Sequence, residues 1–139
     1  MRSINEIIIH CTGNTATSKI TVADIRRYHI KERHFADIGY HFVIYANGKI
    51  EEGRPVSKSG AHCKGHNAHS IGISYIGGLL RNGKPADTRT QAQKTSLVEL
   101  IRKLKSRFPS ITKVSGHRDY ANKACPCFNA HAELQHLVM

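Results

Sequence analysis

With 139 residues, 40% hydrophobic and 22% charged, the chain is long enough to close one hydrophobic core without staples, and it is read as a single domain spanning 1–139. No apolar run approaches the ~20 residues that cross a bilayer, and Ile7-Ile8-Ile9 behind Glu6 is too short for a signal peptide, so the expectation is synthesis in the cytoplasm and no membrane span. Lys+Arg of 21 against Asp+Glu of 10 gives a net charge of +11 and a pI near 9.8, which attracts polyanions without choosing among nucleic acid, anionic lipid and acidic wall polymers.

Glu6 to Cys11 reads as a short buried strand, because Ile7-Ile8-Ile9 is β-branched throughout and the loop residues Thr12-Gly13-Asn14 follow. Thr21 with Asp24 resembles a capping box that opens a helix, whose apolar face is read as Val22, Ile25 and Tyr28. Gly39 to Tyr45 and Lys49 to Glu52 flank Asn47-Gly48, the strongest short hairpin signal. Ser70 to Ile76 alternates, with Ile71, Ile73 and Tyr75 on one face, and predicts another strand. Thr90 and Gln93 form a second capping box. Leu97, Leu100, Ile101, Leu104 and Phe108 follow at helical spacing until Pro109 stops the run. Ile111 to Val114 predicts a short strand leading into Gly116-His117, and Phe128 to Leu137 a last helix with Phe128, His131 and Leu134 inward. The expected class is α/β: a central mixed sheet with helices on its faces.

Some polar residues sit where a core would not call for them. His10 ends a buried strand, His117 follows another, and Cys125 lies eight residues beyond His117, just before Pro126. Two imidazoles and a thiolate make a tetrahedral zinc set with one position open for water. By residue type alone, a histidine at a strand end is more often hydrogen-bonded than metal-bound, and a single cysteine is usually core filler. A rival cluster, His62-Cys63-x-x-His66-x-x-His69, is denser, but Gly65 and Asn67 make it a loop and its spacing matches no common finger. Of the four cysteines, Cys11 is expected to face the core, away from His10, and Cys63 and Cys127 have no spacing that demands pairing.

His10-Cys11-Thr12, Gly39-Tyr40-His41-Phe42, Gly60-Ala61-His62, Asn67-Ala68-His69-Ser70-Ile71-Gly72-Ile73, Gly116-His117-Arg118-Asp119 and Lys123-Ala124-Cys125-Pro126 occur in one order. That succession resembles the zinc N-acetylmuramoyl-L-alanine amidases, which include short phage endolysins and are related to peptidoglycan recognition proteins. The resemblance runs from about Ile7 to Phe128. It implies a sheet of about five strands with about three helices, a groove floored by zinc, and peptidoglycan as the substrate. It also implies one Zn2+ held by His10, His117 and Cys125, with Tyr40 and Lys123 as the catalytic side chains beside it. His62 falls on a position lining the substrate groove, while His41, His66 and His69 are read as structural. Related recycling amidases carry Asp where Cys125 stands, so the thiolate variant looks like the endolysins, which act on the wall after release. Non-catalytic recognition proteins lack this cysteine, which favours an enzyme over a binding module. A nucleic-acid or polymerase-binding role, suggested by the charge, finds no motif, and 6% aromatic content offers few stacking platforms. A monomer is expected.

Overall fold

The computed structural model describes residues 2–139, so the part of the N-terminal reading that falls on Met1 lies outside the described residues. The chain runs through strands β1 (Glu6–Cys11) and β2 (Asn14–Thr15), helix α1 (Val22–Lys31), and strands β3 (Phe42–Ile44), β4 (Ile50–Glu52), β5 (Ser70–Tyr75) and β6 (Gly78–Leu79). Helix α2 (Gln91–Arg107), strand β7 (Lys113–Gly116) and helix α3 (Ala130–Leu134) complete it. The main sheet has the order β4-β3-β5-β1-β7. It is parallel except where β3 and β4 form the antiparallel hairpin that Asn47-Gly48 predicts. A two-stranded pair, β2 with β6, was not expected: Asn14 read as a loop residue, and no strand was placed at Gly78–Leu79.

Strand parity divides β1 between two environments. Ile7, Ile9 and Cys11 join Ile71, Ile73 and Tyr75 of β5 in the larger core, under Leu97, Leu100, Ile101 and Leu104 of α2 and Leu134 of α3. The alternate residues Glu6, Ile8 and His10 therefore face the opposite side of the sheet. On that side a smaller core joins Val22 and Ile25 of α1 to Ile38, Val43 and Ile76. Both capping boxes form: Thr21 Oγ1 accepts from the Asp24 amide at 3.3 Å and Thr90 Oγ1 from the Gln93 amide at 3.1 Å. Each satisfies amides that the first helical turn leaves without partners, worth about 1 kcal/mol.

Several boundaries and faces differ from the sequence reading. In α1 the third buried residue is His29, whereas Tyr28 is 54% exposed. The strand expected at Ile111 to Val114 begins at Lys113, because Ile111 is buried ahead of it while Lys113 takes up the pairing with Glu6. The last helix is only Ala130–Leu134, continued as a 3-10 turn over Gln135–Val138. Phe128 and Leu134 are buried as expected, but His131 is exposed and turns one ring nitrogen, Nδ1, to the Val114 carbonyl at 2.8 Å.

Arg89 ties that last segment to the start of α2. Its side chain donates to Asp87 and, through both terminal nitrogens, to Glu133 (2.7 and 2.9 Å), and it lies 3.4 Å from the centre of the Phe128 ring. Arg89→Ala is expected to lower unfolding free energy in urea by about 2–3 kcal/mol. That is below the ~3–5 kcal/mol of a fully buried pair, because screening by solvent discounts the partners. Asp87 and Glu133 keep 32% and 47% of their side-chain surface exposed. A loss under 1 kcal/mol, as ~0–1 kcal/mol is usual for surface pairs, would show that the bridge is only decorative.

Candidate metal centre and active site

Three segments distant in sequence converge at one end of the sheet. His10 comes from the end of β1, His117 follows β7, and Cys125 lies on the loop after it, where Cys125-Pro126 is cis. One donor atom from each lies within 4.8 Å of the others, and His10 Nδ1 is 3.9 Å from Cys125 Sγ. His10 is 1% exposed, whereas His117 and Cys125 are partly open.

Hydrogen bonds fix which nitrogen of His10 faces this convergence. The Ser70 hydroxyl donates to the His66 carbonyl at 2.7 Å, so its oxygen is left to accept from His62 Nε2 at 3.2 Å. His62 Nδ1 is then an acceptor, and His10 Nε2 donates to it at 2.9 Å. The proton of His10 is thereby held on Nε2, and the Nδ1 lone pair points toward Cys125 and His117. Such outer partners orient metal-binding imidazoles and set their tautomer.

Electrostatics favour the same protonation states. Burial, then His62, His117 and Lys123, push His10 well below the ordinary histidine range, and burial followed by Lys123 lowers His117. Both rings are neutral at pH 7. The Cys125 thiol is held below its ordinary value, first by the neighbouring Cys11 side chain and also by the Cys11 amide, which donates to Sγ at 3.2 Å, against the opposing effect of burial. The alternation along β1 thus puts Cys11 to a different use from His10. Its side chain lies in the core with Sγ 4.0 Å from Cys127, and its backbone supports Cys125. All four cysteines are free.

The other expected residues surround this cluster. Tyr40 is partly buried, with its ring centre 5.3 Å from that of His10 and 5.4 Å from that of His29. Burial, followed by Cys125, raises its phenol above the ordinary tyrosine range, so it stays protonated and able to donate. Lys123 is exposed and lines the same cavity of about 150 Å³ as His10, Tyr40, His62, His117 and Cys125. His62 lies beneath, 7% exposed, with both ring nitrogens bonded inside the protein. Clefts of about 520 and 450 Å³ adjoin the cavity: the first shares Tyr40 with it, the second His62, and both share Arg33.

His41, read as structural, is fully buried. Its Nδ1 accepts from the Gly72 amide at 3.0 Å and its Nε2 lies 2.8 Å from the Lys58 carbonyl. His29, Arg33, Ser70 and Ser74 were not singled out from the sequence. His29 carried a signal in its i, i+7 relation to Val22, and its Nδ1 accepts from the Gly39 amide at 2.9 Å, fixing the backbone before Tyr40. Ser74 pairs with His10 across the sheet, and its hydroxyl is the one buried side-chain polar atom among the described residues with no hydrogen-bond partner.

Gly72 opposes Ile8 in the sheet and gives the His62 ring its space. A Cβ at position 72 would fall 2.6 Å from that ring. Gly72→Ala is therefore expected to displace His62, release the proton position of His10, and weaken metal binding by about 10–100-fold, the usual cost of losing an outer partner. A competition titration against a chromogenic chelator reads this directly. Unchanged affinity with the fold intact would show that His62 does not orient His10.

Comparison with known proteins agrees with this geometry. The family model of N-acetylmuramoyl-L-alanine amidase matches residues 1–128. An endolysin of Klebsiella phage KP32 is 38% identical over 125 residues, covering 90% of this chain and 82% of that protein. Peptidoglycan-recognition protein SC2 of Drosophila melanogaster is 33% identical over 135 residues, covering 93% and 71%. The solved endolysin amidase LysCS of Clostridium intestinale matches with a TM-score of 0.80 at 34% identity, over 92% of this chain and 78% of that one. The chain belongs to the N-acetylmuramoyl-L-alanine amidase family.

Proposed function

We propose that the chain is a zinc-dependent hydrolase of the amide between N-acetylmuramic acid and L-alanine in peptidoglycan. The observation that carries this reading is the convergence of His10, His117 and Cys125 within 4.8 Å at the floor of a groove that also holds Tyr40 and Lys123. The donor set suits the metal: two neutral imidazoles and a thiol held toward its anion make a three-ligand site with one face open to the groove. Zinc there supplies Lewis-acid polarisation of a carbonyl and a nucleophile from water at neutral pH.

The chain's own residues do the rest. His10 and His117 stay neutral because burial disfavours their charged forms, so neither needs to lose a proton before binding the metal. Tyr40, protonated across the working range, offers a fixed hydrogen-bond donor at the reacting centre. Lys123 brings a cation to the same cavity, where negative charge develops on the carbonyl oxygen of the tetrahedral intermediate. His62 contributes its ring edge to the groove floor, where it contacts substrate, while its nitrogens hold His10. Arg33, Lys64 and Lys123 make the groove basic, which suits the carboxylates of a peptide stem. Like an endolysin, the protein acts as a monomer, is made in the cytoplasm, and reaches the wall after release.

Digestion of purified peptidoglycan tests the reading. The expected products are free L-alanine N-termini without new reducing sugar ends, lost on chelation and restored by zinc. Reducing ends instead would mean glycosidic cleavage, and binding without product would mean a recognition module.

A further inference from the structure

The face of β1 that carries His10 carries a second set of donors at its other end. Glu6 lies four residues earlier on the same side, about 13 Å away along the strand. The dense His62-to-His69 segment divides between the two ends. His62 goes to His10, whereas His66 and His69 go to Glu6, and one donor atom from each of Glu6, His66 and His69 lies within 4.8 Å of the others.

This carboxylate is held in a particular way. Glu6 is 3% exposed, and its Oε2 accepts from the Ser115 hydroxyl at 2.6 Å and from the Tyr120 hydroxyl. Its Oε1 is turned to the histidines, 3.4 Å from His69 Nε2. The histidines are braced as well. The His66 ring stacks on Tyr120 with centroids 3.7 Å apart and an interplanar angle of 17°, and its carbonyl takes the Ser70 hydroxyl. The His69 carbonyl accepts from the Asn5 amide at 2.9 Å, and Asn67 Oδ1 accepts from the amides of His62 and Cys63. A carboxylate oriented by outer hydrogen bonds, with two imidazoles carried on a braced backbone, offers two nitrogens and one oxygen, a donor set that suits a divalent transition ion.

We propose that Glu6, His66 and His69 form a second site for a divalent transition-metal ion of the zinc class, separate from the site at His10. Two imidazoles and one carboxylate are an established zinc donor set, and the partial exposure of both histidines leaves room for water as the remaining ligand. The ion neutralises a buried carboxylate whose Oε2 is held by two neutral hydroxyls and whose Oε1 faces a histidine at 3.4 Å. It also ties the His66–His69 segment, which follows His62, to β1, which carries His10.

The test uses the full-length chain and Zn2+ alone. Equilibrium dialysis followed by elemental analysis is expected to give about one equivalent less zinc for His66→Ala/His69→Ala than for the unsubstituted chain. Cys125→Ser, which strikes the other site, is expected to retain the equivalent that the double variant loses. In histidine side-chain NMR of the unsubstituted chain, His66 and His69 are expected to shift together during one binding phase. That readout does not depend on how any variant folds. Equal zinc content in the folded double variant, or resonances of His66 and His69 that ignore Zn2+, would overturn the proposal.

Discussion

Cys125→Ser is expected to lower zinc affinity by more than ~100-fold, beyond what loss of any outer partner costs, and to abolish amide cleavage at ordinary zinc concentrations. The reason lies in the donor set. A serine hydroxyl keeps nearly the same volume, but it is not an anion at neutral pH, whereas the thiol is held toward its anion by the Cys11 side chain and amide. One further contact bears on the outcome. The Cys11 amide would lose a good acceptor, but Cys11 sits in a strand paired on both sides through Ile7 and Ile9, so the fold should persist. Elemental analysis after dialysis reads the metal, and circular dichroism reads the fold. Full zinc occupancy in a folded variant would remove Cys125 from the site.

Tyr40→Phe and Lys123→Ala are each expected to reduce turnover by ~100-fold or more with little change in the affinity for a soluble muropeptide. Each acts on charge that exists only as the amide carbonyl becomes tetrahedral, so ground-state binding should not register the loss. Tyr40→Phe keeps the ring that packs between His10 and His29 and removes only the hydroxyl. Because the phenol is raised above the ordinary tyrosine range, its proton stays on through the alkaline arm of any practical pH profile. The profile of the unsubstituted enzyme should therefore show no tyrosine ionisation below about pH 10. Lys123 is exposed, so its substitution leaves the core untouched. Single-turnover kinetics separates the steps, and unchanged turnover in either variant would take that residue out of the chemistry.

Local signals in the sequence were the legible ones. The capping boxes at Thr21 and Thr90, the Asn47-Gly48 hairpin and the isoleucine strand each depend on neighbours within a few residues, and each appears where the pattern places it. The apolar face of α1 held at Val22 and Ile25 but not at Tyr28, whose place inside is taken by His29, with Nδ1 accepting from the Gly39 amide. The candidate ligands His10, His117 and Cys125 were assigned through the order of six short motifs. The spacing of His10 and Cys125, 115 positions apart, contains no local instruction that they meet. Glu6 had even less signal. Its environment is built from Ser115 and Tyr120, 109 and 114 residues away, and only the folded sheet brings a buried carboxylate to His66 and His69. The tautomer of His10 was likewise out of reach, since it depends on Ser70 acting through His62.

One zinc ion is expected among His10, His117 and Cys125. Anomalous diffraction from crystals grown with zinc, recorded on both sides of the zinc absorption edge, tests it most directly. The expected result is a peak bonded to His10 Nδ1, to a ring nitrogen of His117 and to Cys125 Sγ, at about 2.0–2.3 Å from each, with its remaining side open to the groove. A zinc-saturated crystal with no peak there, or with the ion on His10 Nε2 in place of its bond to His62, would contradict the account.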